Sequence, residues 1–232
     1  MIRKINFAPN EWYHCYTRSI DKRPVFTTPQ DYNRFLEAMY LSNNTRPIER
    51  SGLYRPSHTD FFELERHHPI VAIGAYSIMP NHFHILLKEL TEGGVVKFMR
   101  KLGTSFAMYF NIKYEHVGNV FIKPFRSKHI EDDRYLKRVV QYIHLNAAEL
   151  FEPEWKDGKV RSMSGLERNL RAYEYSSFFD YCGRKRPENS ILDLSTKTLF
   201  DDLLPFQNIL EEAAAYYQDL SISRGVTSRD SH

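Results

Sequence analysis

His82 and His84 are separated by one apolar residue, Phe83, within an apolar run. On a strand, residues two apart leave the same face, so both imidazoles can reach one cation while Phe83 packs behind them. Two ligands do not make a site, and a histidine pair of this kind is by itself more often structural than ligating. Tyr142 and Asn146 stand four apart, which on a helix is one turn, at the shoulder of an apolar stripe. From there an amide oxygen can coordinate a hard cation while a phenol reaches a substrate that the cation holds. A half-buried Tyr beside an Asn is also a common packing arrangement, so only the combination points to a reaction. A phosphodiester resists attack because the incoming oxygen meets negative charge, and a cation relieves that charge. A tyrosine phenolate is both nucleophile and leaving group, so attack would store the broken bond as a phosphotyrosine that a hydroxyl can later reverse. Imidazole and amide ligands together suit Mg²⁺ or Mn²⁺ and do not demand Zn²⁺.

These side chains can meet only if a strand and a helix lie on one another. The residues 12–20 are rich in β-favouring side chains and read as a first strand. Thr28 and Pro29 begin a helix that carries Tyr32, Phe35, Leu36, Met39 and Tyr40 on one face. The polar stretch 43–66, with prolines and Gly52, reads as a long inserted loop. Two apolar runs, 70–77 and 82–87, flank the turn residues Met79, Pro80 and Asn81 and predict an antiparallel hairpin. A helix is expected over 95–114, a strand over 119–130, and then a helix capped by Asp132 or Asp133. In that last helix Leu136, Val139, Val140, Ile143, Ala147 and Leu150 form one stripe. This order implies an α+β fold on an antiparallel sheet, not a doubly wound parallel one. The domain is expected to span 1–182. The residues 183–232 read as a linker followed by a helical extension marked by Phe206, Ile209, Leu210, Ala213, Tyr216 and Tyr217.

The chain has 232 residues and a formal net charge of only +3, so the distribution of charge says more than its sum. Between Lys97 and Lys128 lie Lys97, Arg100, Lys101, Lys113, Lys123, Arg126 and Lys128 against the single acid Glu115, with aromatic rings among them. Such a stretch can bind phosphates and stack unpaired bases, although a solvated helix face would have the same composition. The two cysteines, Cys15 and Cys182, give neither a ligand spacing nor a disulfide framework and fit a reducing compartment. Without a signal-like N-terminus or a bilayer-length apolar run, a cytoplasmic, nucleoid-associated protein is expected.

The segment Met79-Pro80-Asn81-His82-Phe83-His84-Ile85-Leu86-Leu87 resembles the His-hydrophobic-His, or HUH, motif of the single-tyrosine transposases of insertion sequences and of the REP-associated tyrosine transposases. Tyr142-Ile143-His144-Leu145-Asn146 resembles their catalytic helix, in which the tyrosine is followed four positions later by an amide residue that completes the metal site. His14-Cys15-Tyr16-Thr17-Arg18, Gly118-Asn119-Val120-Phe121 with Phe125, and Tyr175-Ser176-Ser177 resemble flanking family segments. The resemblance runs from about Trp12 to Tyr181. It implies a ferredoxin-like α+β core with the HUH pair on a central strand, Tyr142 as nucleophile, and a divalent metal held by His82, His84 and Asn146. The activity implied is cleavage of single-stranded DNA beside a hairpin, leaving a 5′-phosphotyrosine and a free 3′-hydroxyl. Among the 15 tyrosines, Tyr135 lies about three turns from Asn146, and Tyr109 and Tyr114 have no amide partner in the family pattern. Ile122 stands where many relatives carry glutamine, and 43–66 and the segment beyond Gly183 look like additions; these bear on the DNA sequence recognised, not on the chemistry.

Relaxases usually carry a further histidine where Lys88 follows the leucines here, and the flanking matches favour the transposase group over rolling-circle initiators. The competing expectation is a domesticated DNA-binding protein that acts at repeated palindromes without transposition; a plain α+β metal-binding domain is a third. Insertion-sequence relatives swap catalytic helices in homodimers whereas REP-associated ones resemble monomers, and a monomer is slightly favoured.

Overall fold

Alternation beginning at Trp12 becomes strand β1 (Trp12–Arg18) in a computed structural model that describes residues 6–46, 56–157, 159–193 and 208–210. Helix α1 (Pro29–Ser42) follows, then the hairpin of β2 (Val71–Met79) and β3 (His82–Glu89). A short helix, α2 (Asp60–Glu63), precedes that hairpin; helix α3 (Gly94–Lys113), strand β4 (Arg126–Ile130), helix α4 (Asp133–Leu145) and helix α5 (Met163–Ala172) come after it. The strands pair in the order β2-β3-β1-β4 and every pairing is antiparallel. This is the β-α-β-β-α-β arrangement of a ferredoxin-like sheet, and it puts β3, with His82 and His84, between two neighbours.

The pleat sends alternate residues of each strand to two different cores. Tyr13, Cys15, Phe83, Ile85 and Leu87 face α1 and α3, where Phe35, Phe98, Leu102 and Phe106 close a large aromatic cluster. Leu86, Met79 and Ala75 face the other way, against Leu136, Val139, Val140 and Ile143 of α4. Gly74 sits where β2 slips register between Ile73 and Ala75, and a Cβ there would come within 2.8 Å of the Leu86 side-chain end, which would have to shift. Gly93 takes a left-handed φ of +69° just before α3, a conformation glycine adopts without cost. The buried Glu89 at the end of β3 then accepts the Gly93 and Val95 amides at 2.8 and 3.1 Å and caps that helix.

Three expectations are corrected. The strand expected over 119–130 is reduced to β4, preceded by an isolated bridge between Ser19 and Phe121. Pro124 has no N–H to give a ladder, and the strand begins only after it. The inserted loop is built into the domain at both ends. Asn43 donates to the Val71 carbonyl and accepts the Ile70 and Val71 amides, while Phe61 and Phe62 of α2 are buried. The linker expected from Gly183 packs as well. Ile191 and Leu192 join the aromatic core, and Arg186 grips Asp180 through Nε and Nη2 at 2.9 and 2.6 Å. Of the helix expected around 206–217, only 208–210 lies among the described residues; it is helical, with Ile209 and Leu210 buried beside the α4 cluster. No helix of the described residues is long and apolar enough to cross a membrane.

One buried charge ties α1 to α3. Asp31 is wholly buried and takes Lys113 Nζ at 2.7 Å, the Thr27 and Thr28 amides at 2.9 and 2.8 Å, and the Tyr109 and Tyr114 hydroxyls. Burial works to raise its pKa, but Lys113, the two amides and Tyr114 overcome it and hold the carboxyl well below the usual range. A depressed carboxylate stabilises the fold above its unfolded pKa of about 4, and that stabilisation is lost as pH falls towards the folded value. Asp31→Asn should therefore cost roughly 3 kcal/mol at pH 7, with the gap to wild type shrinking below about pH 4. Urea midpoints between pH 3 and 7 measure this; a gap that does not change with pH would refute it.

Candidate active site

The hairpin turn that presents His82 is held by the loop after β1. The Pro80 carbonyl accepts the Val25 and Phe26 amides at 2.8 and 3.0 Å, the Asn81 carbonyl accepts the Ser19 amide at 2.8 Å, and Asn81 Nδ2 donates to the Lys22 carbonyl at 2.8 Å. Because Asn81 Nδ2 is committed to Lys22, its Oδ1 points to His82 Nδ1, 2.7 Å away. Across the cleft, Asp132 accepts the Tyr135 amide at 2.7 Å and starts α4. The α-helix ends at Leu145 and tightens into a 3-10 turn over Asn146–Leu150. Asn146 keeps helical angles of −58° and −36°, so it stays one turn beyond Tyr142.

This packing brings the four sequence-expected residues into one cleft of about 370 Å³, lined by His82, His84, Tyr142 and Asn146. The His82 and His84 rings lie 5.3 Å apart, and the Tyr142 ring stands edge-on to His84 at 5.4 Å. Asn146 Oδ1 is 3.0 Å from His82 Nε2. His144, two residues from both Tyr142 and Asn146, faces away and bonds Ser177 at 2.9 Å, and burial pushes it down to about 3. Tyr142 departs from expectation: it is 3% exposed and belongs to the α4 core cluster instead of lying off the stripe. The helix packs on β2 and β3, and its shoulder at Tyr142 is covered as well as its face.

The donor set fits a divalent cation. Burial, with a smaller contribution from Arg18, pushes His82 down to about 4 against the opposing bond from Asn146, so the ring is neutral at pH 7 and carries one proton. Two oxygens face its two nitrogens, Asn81 Oδ1 and Asn146 Oδ1, and only one of them can receive that proton. With the Asn81 amide fixed by Lys22, the proton belongs on Nδ1, and the Nε2 lone pair meets the lone pairs of Asn146 Oδ1 at 3.0 Å. Neighbouring ligands of an octahedral Mg²⁺, each about 2.1 Å from it, stand about 3 Å apart. Among the described residues no group of three or more His, Cys, Asp or Glu is placed to hold a metal.

The basic residues divide. Arg126 lines the cleft and Lys123 is exposed beside Ile122 and Pro124, which also line it. Lys128 lies opposite His14 in the β1–β4 pairing, its ammonium over the Tyr135 ring. Lys97, Arg100, Lys101 and Lys113 are on α3, on the other side of the sheet. There Lys101 donates to the Asn44 carbonyl and Lys113 is held by Asp31. The cleft instead gathers Arg18, Lys22 and Lys156, which sequence reasoning did not single out. Arg18 pairs directly with His82 across β1 and β3, a neighbourhood set by register. Tyr16 and His14, which pack on His84, were legible only as alternate residues of one strand.

Residues 61–146, less than half of the chain, match the family model described as "Transposase IS200 like". Over that stretch the chain is similar to the IS200-like transposases. The matched stretch contains His82, His84, Tyr142 and Asn146, so the candidate site falls inside it. One similar solved structure is titled "Structure of the REP associates tyrosine transposase bound to a REP hairpin". It is 14% identical, covers 84% of this chain and 95% of its own, and superposes with a TM-score of 0.49, a likeness too distant to carry weight for the transposase reading. No curated protein matches the chain.

Proposed function

We propose that this chain is a transposase-type endonuclease and strand transferase that acts on single-stranded DNA beside a hairpin, with Tyr142 as nucleophile. The observation that carries the reading is the convergence of Tyr142, His82, His84 and Asn146 in one cleft rimmed by Arg18, Lys22, Arg126 and Lys156. The choice of hairpin DNA rests on the resemblance of the two motifs to REP-associated enzymes. A divalent cation, Mg²⁺ or Mn²⁺, held by His82, His84 and Asn146 would polarise the scissile phosphate and offset the charge gathering on its oxygens. The four bases hold the neighbouring phosphates, while Ile122, Pro124 and the Tyr16 ring offer apolar surface to unpaired bases. Tyr142 Oη attacks phosphorus and the bond to the 3′ oxygen breaks, its electron pair staying on that oxygen. The phenol loses one proton and the departing oxygen gains one, so the products are a 5′-phosphotyrosine and a 3′-hydroxyl. Attack by another 3′-hydroxyl reverses the step and joins the strand elsewhere, without ATP. Incubation with Mn²⁺ and labelled single-stranded hairpin DNA should give a covalent adduct on a denaturing gel.

A second reading, a DNA-binding protein at palindromic repeats that no longer cleaves, draws on the burial of Tyr142. Tight hairpin binding with no adduct under any divalent ion would select it. Under both readings affinity for single-stranded DNA should fall steeply with salt. Replacing Lys123 or Arg126 by Ala should flatten the slope of log K against log salt by about one unit each. Fluorescence anisotropy from 50 to 300 mM salt, roughly the range over which screening acts, measures it; a salt-independent affinity would remove the basic rim from the DNA interface.

A further inference from the structure

His14 is wholly buried on the middle of β1, and its Nε2 lies 2.8 Å from Nδ1 of His84, with the two rings 5.0 Å apart. Its pairing partner across the sheet is Leu86, so it sits diagonally to His84 on the face that carries the cleft. A buried imidazole is costly unless its polar atoms are satisfied, and an aliphatic or phenyl side chain would fill this place without that cost. We infer that His14 is a positioning residue: it accepts the Nδ1–H of His84 and so sets the tautomer in which Nε2 of His84 carries the lone pair for a cation. The inference rests on the reading of His82, His84 and Asn146 as a cation site.

The chemistry makes the direction of this bond consequential. A neutral imidazole has one proton and two distinct nitrogens, and the partner of one nitrogen decides what the other can do. If His14 donated instead, His84 would carry its proton on Nε2, and the nitrogen available to a metal would be the one already turned towards His14. Acceptance by His14 removes that alternative. Asn81 stands in the same relation to His82, with Oδ1 2.7 Å from Nδ1 and its own orientation fixed by the Lys22 carbonyl. Each member of the HUH pair is thus met at Nδ1 by a polar group from outside the pair. Outer partners of this kind orient metal-binding histidines and raise their basicity.

The test uses the full chain with ¹⁵N-labelled histidine. In metal-free wild type, nitrogen shifts should show His84 as the Nδ1–H tautomer; in His14→Phe they should move to Nε2–H or a mixture. Titration with Mn²⁺, followed by electron spin resonance, should show affinity about 10- to 100-fold weaker in His14→Phe. His14→Gln, whose side-chain carbonyl can accept the same proton, should recover most of it. Equal hairpin binding in EDTA by all three proteins would show that the fold is intact. An Nε2–H tautomer of His84 in metal-free wild type overturns the inference, even if His14→Phe fails to fold. Unchanged Mn²⁺ affinity in a folded His14→Phe overturns it too while leaving the cation site standing. Wild type that binds no Mn²⁺ overturns the cation reading and this inference with it.

Discussion

Tyr142→Phe should form no covalent adduct with hairpin DNA and should lose cleavage by on the order of 10⁴-fold or more, because the nucleophilic oxygen has no substitute. The ring remains, and with it the contacts Tyr142 makes in the α4 cluster and against His14 and His84. The stability cost should therefore stay near about 1 kcal/mol, that of one hydroxyl. Mn²⁺ affinity and hairpin affinity should match wild type. Gel analysis of the adduct and mass spectrometry of the trapped peptide decide the matter. DNA attached to another tyrosine, or adduct formation by Tyr142→Phe, would move the active site off α4. Because Tyr142 is only 3% exposed, the substrate phosphate must reach it through the cleft that His82 and His84 line, and wild-type cleavage should stop when that cleft is blocked.

His84→Ala is the second large effect. It removes one proposed ligand and the ring that packs on both His14 and Tyr16, and divalent-dependent cleavage should fall by on the order of 10³-fold. His82→Ala should behave alike. The phosphate contacts come from other side chains, so hairpin binding should change little. The cavity left by the imidazole should cost about 1–3 kcal/mol of stability, read from denaturant midpoints so that unfolding is not mistaken for lost chemistry. Undiminished cleavage by His84→Ala in the presence of EDTA would end the metal reading.

What could be read directly were the features set by local geometry. His82 and His84 share a face because a strand repeats every two residues, and Tyr142 and Asn146 share one because a helix turns every 3.6. Thr28 and Pro29 opened α1, Asp132 opened α4, and Met79 to Asn81 marked the hairpin, since caps and turns are short-range chemistry. The element order then restricted the topology to an antiparallel α+β sheet.

Only the tertiary structure decided which residues share the cleft. The bases of α3 were grouped with Arg126 by closeness in sequence, yet the phase that buries Phe98, Leu102 and Phe106 places that helix on the opposite side of the sheet. Arg18 meets His82 through strand register, and Lys156 arrives from a short 3-10 turn after α4; neither neighbourhood leaves a periodic trace. The burial of Tyr142 depends on how α4 docks on β2 and β3, a property of packing and not of spacing. The contact between His14 and His84 spans 70 positions of sequence, and the pairing that creates it exists only once the sheet has formed. Short-range periodicity determined what each element could offer, and the pairing of distant strands and the docking of α4 determined what those offers meet.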